Sequence, residues 1–140
     1  MPILIDGWNL IRCEKSGIRD LEIPYLESAD ALLASLSDFQ TGHRDPITVV
    51  FDSKREFLDI GFRPTAMLKV VAAKDADDYI RRAVERIPEK QRRNLRIVSS
   101  DNSVYYHVRS LGATPVRTEE FWKKMRSWRS GAVPKGLPKG

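Results

Sequence analysis

Short apolar runs alternate along this chain with longer stretches in which apolar residues recur every three or four positions. Ile3-Leu4-Ile5-Asp6 is the first run, closed by Asp-Gly, and it reads as a buried strand. Ile18 to Tyr25 has no period and contains Pro24 as a break. Beyond it, Leu32, Leu33, Leu36 and Phe39 fall on one face of a helix predicted from Ala29 to Gln40, with Ser28 as its cap and Gly42 ending it. Ile47 to Phe51 is a β-branched run followed by Asp52, a second predicted strand. Phe57 to Phe62 fits a loop or a short edge element, and Met67 to Ala73 a third strand. A helix is predicted from Asp75 to Ile87, with Ile80, Ala83, Val84 and Ile87 at core spacing and Pro88 closing it. Leu95 to Ser99 predicts a fourth strand, followed by Asp101, then a helix from Ser103 to Leu111 closed by Gly112. Thr114 to Val116 suits a short last strand. Thr118 to Trp128 suits a terminal helix that packs through Phe121, Trp122, Met125 and Trp128.

Strands alternating with helices imply βαβ units, hence an α/β fold of three αβα layers around a mostly parallel sheet. The 140 residues fit one domain, expected over 1–128, with 129–140 as a basic, flexible tail rich in Gly, Pro and Lys. No stretch approaches the ~20 apolar residues that span a bilayer, so no membrane partner is expected. The N-terminus lacks the basic and apolar regions of a secretory leader. Cys13, the single cysteine, cannot form an internal disulfide and suits a reducing compartment. Together these set the expectation of a cytoplasmic protein.

Charge changes the picture at one end. The net charge is +5, and residues 117–140 hold seven Lys/Arg against two Asp/Glu, so the rest of the chain is neutral. A basic segment on a neutral domain fits a polyanionic partner such as nucleic acid, and equally a solvated, solubilising tail.

The strand ends carry the candidate chemistry. Asp6 follows the first strand, Asp52 the second and Asp101 the fourth, while Asp75, Asp77 and Asp78 sit between the third strand and its helix. In a parallel sheet these positions share one edge, the edge at which such folds bind ligands. Clustered carboxylates repel one another unless a cation neutralises them. Oxygen ligands without a cysteine or histidine set favour Mg²⁺ or Mn²⁺ over zinc, and such an ion suits phosphodiester hydrolysis. Each aspartate alone reads as readily as a turn or helix-capping residue. Asn9, three residues after Asp6, could return its amide to that carboxylate across the Gly7 turn, or cap a helix. Ser100 and Asn102 place a hydroxyl and an amide beside Asp101.

Ile5-Asp6-Gly7-Trp8-Asn9-Leu10-Ile11 resembles the opening hydrophobic-Asp-Gly-aromatic-Asn signature of NYN domains. Val49-Val50-Phe51-Asp52, Asp75-Ala76-Asp77-Asp78-Tyr79-Ile80 and Val98-Ser99-Ser100-Asp101 continue in the order of the YacP-like branch, so that the resemblance covers Ile3 to Val116. It implies a PIN-like nuclease fold, a Mg²⁺ or Mn²⁺ site built from aspartates, and RNA cleavage by activated water to 5′-phosphate and 3′-hydroxyl ends. Asp6, Asp77 and Asp101 match the metal-binding acids, with Asp78 second to Asp77. Asn9 matches the companion of Asp6, and Asp52 a supporting position. Ser103 stands where many PIN-like proteins carry a further acid, which points to one metal and weaker activity. Some members act on mRNA with ribosomes and relatives often dimerise, so ribosome association and a homodimer enter as settings of the resemblance.

Lys54 and Arg55 follow Asp52 and could hold phosphates. Trp8 fits base stacking or the core equally. Lys123, Lys124, Arg126 and Arg129 interleave with Trp122 and Trp128, a composition suited to single-stranded RNA, although core packing suits Trp122 better. The leading reading is a metal-dependent endoribonuclease. A catalytically weak or inactive RNA- or ribosome-binding module is the alternative. A small-phosphoester hydrolase is a third reading and fits the basic tail less well.

Overall fold

The computed structural model of the chain describes residues 1–18, 25–53 and 60–132. Five strands, β1 (Ile3–Asp6), β2 (Ile47–Asp52), β3 (Leu68–Ala73), β4 (Arg96–Val98) and β5 (Thr114–Val116), form one sheet in the order β3-β2-β1-β4-β5. Every neighbouring pair is parallel, with Ile3 opposite both Ile47 and Arg96.

Helices cover both faces, which is why the central strands read as continuous apolar runs. Successive side chains point to opposite faces and divide between two cores. Ile3, Ile5, Ile47, Val49, Phe51 and Val98 pack with α1 (Gly7–Arg12), α2 (Tyr25–Phe39) and α6 (Thr118–Ala132) through Leu10, Leu32, Leu36, Phe39 and Phe121. Leu4, Val50 and Ile97 pack with α3 (Ala76–Arg86) and α5 (Asn102–Ser110) through Ile80, Val84, Val104 and Val108. A single turn, α4 (Glu89–Arg92), leads from α3 toward β4.

Helices α1, α2 and α6 differ from the sequence expectation, and the single turn α4 has no counterpart in it. The chain enters α1 directly at Gly7, where a bare turn was expected. Asp6 caps this helix by accepting from the Asn9 backbone N–H. Position 7 must be glycine for packing, because a Cβ there would run into the Phe51 ring. Second, α2 begins at Tyr25, so Ser28 lies inside its first turn and is not its N-cap. Ile60 to Phe62 takes the loop alternative of the expectation and is tied to α2, with the Asp30 carboxylate accepting from Gly61 N (3.0 Å) and Phe62 N (2.9 Å). The remainder of the expected 57–62 element lies outside the described residues. Finally, α6 runs past Trp128 to Ala132; of the expected tail, residues 133–140 lie outside the described residues.

The route from β1 to β2 uses α1 and α2 on one face. The routes from β3 to β4 and from β4 to β5 use α3 and α5 on the other. The strand order therefore reverses between β1 and β4, which opens a crevice at their carboxyl ends.

Candidate carboxylate site at the switch point

Asp6 and Asp101 flank this crevice, and both cap helices. Asp6 Oδ1 accepts from Asn9 N at 3.3 Å, Asp101 Oδ1 from Val104 N at 3.1 Å, and Asp75 Oδ1 caps α3 through Asp78 N at 3.1 Å. Capping is the ordinary work of an aspartate at these positions, and it occupies one carboxylate oxygen. Among the described residues, Oδ2 of Asp6 and of Asp101 accepts no hydrogen bond.

Electrostatics join acids that the sequence separates. Asp6 is only 7% exposed. Burial raises its pKa to about 6; the Asn9 N–H bond opposes this, the charge of Asp77 adds to it, Arg12 opposes and Asp52 adds. Asp77, half-buried in the first turn of α3, is also raised. Burial is the main cause, then Asp101 and Asp75, with Arg81 opposing and Asp52 adding. Asp77 thus shares a field with Asp6, Asp52, Asp75 and Asp101. Asp78 points outward and pairs with Arg82 at 2.9 Å, so Asp77 is the inward acid of the two. Among the described residues, no three acidic, histidine or cysteine side chains close into a finished metal-ligand set. The donor chemistry, carboxylate oxygens alone, fits a hard cation.

Asn9 spans the crevice. Its side-chain Oδ1 accepts from Ser100 N at 2.6 Å, tying α1 to the turn that carries Asp101. The return to Asp6 comes from the Asn9 backbone N–H, where the sequence suggested the amide side chain. The Ser100 hydroxyl meets the Thr118 hydroxyl and accepts from Thr118 N at 3.1 Å. Arg117 Nη1 donates to Asn102 Oδ1 at 2.8 Å, and Arg81 donates to the Ser103 hydroxyl.

The expected RNA-binding groups disperse. Trp8 is buried, tilted on Phe51 at 4.7 Å, and donates Nε1–H to Asp52 O at 2.8 Å. It is a core residue and offers no face to a base. Trp122 is buried and donates to Leu10 O at 2.7 Å. Lys123 and Arg126 line an open groove with Lys15, Glu119 and Glu120. Lys124 lies at the opposite edge of the sheet, where burial and the Arg96 charge lower its pKa and Asp45 opposes them. Lys54 and Arg55 lie outside the described residues, as does the side chain of Arg129. Sequence reasoning missed Arg12, Arg81, Arg117 and Thr118. The signal for Arg117 was its place just after the last strand, level with the acids, but its charge was pooled with the tail.

Among the described residues no helix is long and apolar enough to cross a membrane. The family model described as YacP-like NYN domain matches residues 3–135. The fold is that of the crystal structure of Rae1 (YacP) from Bacillus subtilis, with TM-score 0.72 and 18% identity over 94% of this chain and 77% of that one. The W164L mutant of that protein gives TM-score 0.68 and 19% identity over 97% and 86%. No curated protein matches the chain. With a parallel five-stranded sheet, a PIN-like nuclease-type fold and a family match over nearly the whole domain, the chain belongs to the YacP-like NYN domain family.

Proposed function

We propose that this chain is a metal-dependent endoribonuclease. The observation that carries the reading is the shared field of Asp6, Asp52, Asp77 and Asp101, in which two acids are raised partly by the others' charge. Asp6, Asp77 and Asp101 would hold Mg²⁺ or Mn²⁺, which when bound neutralises this charge and supplies the Lewis acidity for water attack on a phosphodiester. Asp52 strengthens the field. Asn9 holds the Ser100 turn so that Asp101 stays at the crevice.

The test is cleavage of single-stranded and structured RNA by the full chain with Mg²⁺ or Mn²⁺, with EDTA, and with Asp6→Asn. Asparagine keeps the cap and removes the charge. The expected outcome is loss of cleavage in EDTA and a drop beyond roughly 100-fold in the variant, since even outer partners of a metal site are worth about 10–100-fold. Cleavage that survives both treatments would falsify the proposed site. The second reading, an RNA-binding module without catalysis, draws on the finding that among the described residues no three acidic, histidine or cysteine side chains close into a metal-ligand set. It predicts salt-dependent RNA binding and intact RNA in either metal.

A further inference from the structure

We propose that Arg117 is a phosphate-binding residue that receives the RNA backbone beside the carboxylate crevice. This rests on the reading of the chain as an RNA-acting protein, but it does not depend on cleavage. Arg117 follows β5 directly. Val116 lies opposite Val98, and Ser99 N donates to Val116 O at 3.0 Å, so Arg117 emerges level with the turn that carries Asp101.

The guanidinium is fixed from two sides. Its carbon lies 3.8 Å over the centroid of the Tyr105 ring, one turn into α5 from Asp101. Nη1 donates to Asn102 Oδ1 at 2.8 Å and to Ser100 O at 3.3 Å, the two residues that flank Asp101. Among the described residues, Nη2 and Nε of Arg117 have no partner and no carboxylate lies within ion-pair distance.

The neighbouring arginines are otherwise committed. Arg12 and Arg81 offset the charges of Asp6 and Asp77, and Arg82 pairs with Asp78. Arg92 donates to the carbonyls of Ile87, Leu111 and Glu85. Arg81 likewise bonds only a neutral group, the Ser103 hydroxyl, but its charge is set against Asp77, whereas Arg117 meets neutral acceptors through Nη1 and offers Nη2 and Nε as a free edge. A planar guanidinium held this way loses little freedom on binding, and its fork matches two phosphate oxygens. Placed beside carboxylates that repel a phosphate, it offsets that repulsion for the incoming strand.

A purely structural role, clamping the β4–α5 turn, is the competing account, and the salt dependence of binding separates the two. Binding of a short single-stranded oligoribonucleotide to the full chain is measured in EDTA across a KCl series, for the unaltered chain, Arg117→Gln, Arg117→Lys and Asn102→Asp. Glutamine keeps a donor for Asn102 but removes the charge. Asn102→Asp keeps Arg117 and neutralises it in place, so the test stands even if Arg117→Gln fails to fold. Arg117→Gln and Asn102→Asp should weaken binding roughly tenfold, as loss of one charged hydrogen-bonded contact does. The slope of log K against log[KCl] should become shallower by about 0.7, one phosphate on a single strand. Arg117→Lys should keep the slope. Unchanged slopes in both charge-removing variants overturn the proposal, as does absence of RNA binding by the unaltered chain. A parallel Mn²⁺ cleavage assay keeps the two readings apart. Binding with shifted slopes but no cleavage removes the nuclease reading and leaves Arg117 in place; cleavage with unshifted slopes does the reverse.

Discussion

Asp6 ends a strand whose four residues are all buried, so its carboxylate leaves water on folding and its pKa rises from 3.8 to about 6. Between those values the folded chain binds the proton more tightly than the unfolded chain. This contribution to stability is full below about pH 4 and is lost as pH rises through about 6. At neutral pH the ionised Asp6 costs on the order of 3 kcal/mol relative to its protonated form, and Asp77 is shifted in the same direction. In EDTA, Asp6→Asn should therefore melt at a higher temperature than the unaltered chain at pH 7.5, with the difference closing near pH 4. Mn²⁺ should raise the melting temperature of the unaltered chain at pH 7.5, because a ligand that binds only the folded state stabilises it. The same ion should do much less for the variant. Thermal melts at the two pH values, with and without Mn²⁺, check all three outcomes. A variant no more stable than the parent at pH 7.5 in EDTA would show that burial does not penalise this carboxylate.

Helix α1 is six residues long, too short to hold itself together in water. It is held by the Asp6 cap, by the fit of Gly7 against Phe51, and by the bonds from Trp8 to Asp52 O and from Trp122 to Leu10 O. None of these is local in sequence except the cap, which explains why the apolar pattern announced the strands and the long helices but not α1. The end-of-strand aspartates were legible because a parallel sheet fixes their edge. The order of Asp77 before Asp78 came only from the resemblance and not from periodicity, since neighbouring helix residues differ by about 100° in direction and the docking of α3 decides which one faces inward. Trp8 next to Asp6 read equally as a stacking platform or a core residue until α1 turned it under Phe51. The last turns of α6 depend likewise on a distant contact. Trp128 covers Gly42 and stands edge-on to His43 at 5.3 Å, and a Cβ at position 42 would fall on its indole. Gly42→Ala should destabilise the chain by about 1–3 kcal/mol, the usual penalty of overpacking. In a Trp128→Ala background it should cost almost nothing, because the pair is coupled. Denaturant unfolding of the four-variant cycle measures this.

Over the whole molecule, α6 runs from one edge of the sheet to the other. It begins at Thr118, bonded to Ser100 beside the crevice, and its later turns reach Gly42 and His43 before β2. With strands of three to six residues, the edges lie roughly 10–20 Å apart. The basic residues of α6 are therefore divided. Lys123 and Arg126 line the groove with Lys15, and Glu119 in its wall accepts from the Ser100 hydroxyl at 3.3 Å, so this groove opens beside the candidate site. Lys124 sits by Arg96 and by Asp45, which holds the Met1 ammonium at 2.8 Å at the far edge. The excess positive charge of residues 117–140 is not a single patch, and its members should contribute unequally to RNA binding. Lys124→Gln should leave RNA affinity within about twofold, since at roughly 10–20 Å the exposed charge is largely screened in 0.1–0.15 M salt. Lys123→Gln combined with Arg126→Gln should weaken binding at least fivefold and flatten the salt slope by about 1.4, two phosphate contacts on a single strand. Titrations in KCl with the same oligoribonucleotide compare the two. Equal losses from both sets would mean that RNA wraps over the amino edge as well, and that the crevice is only one part of a larger binding path.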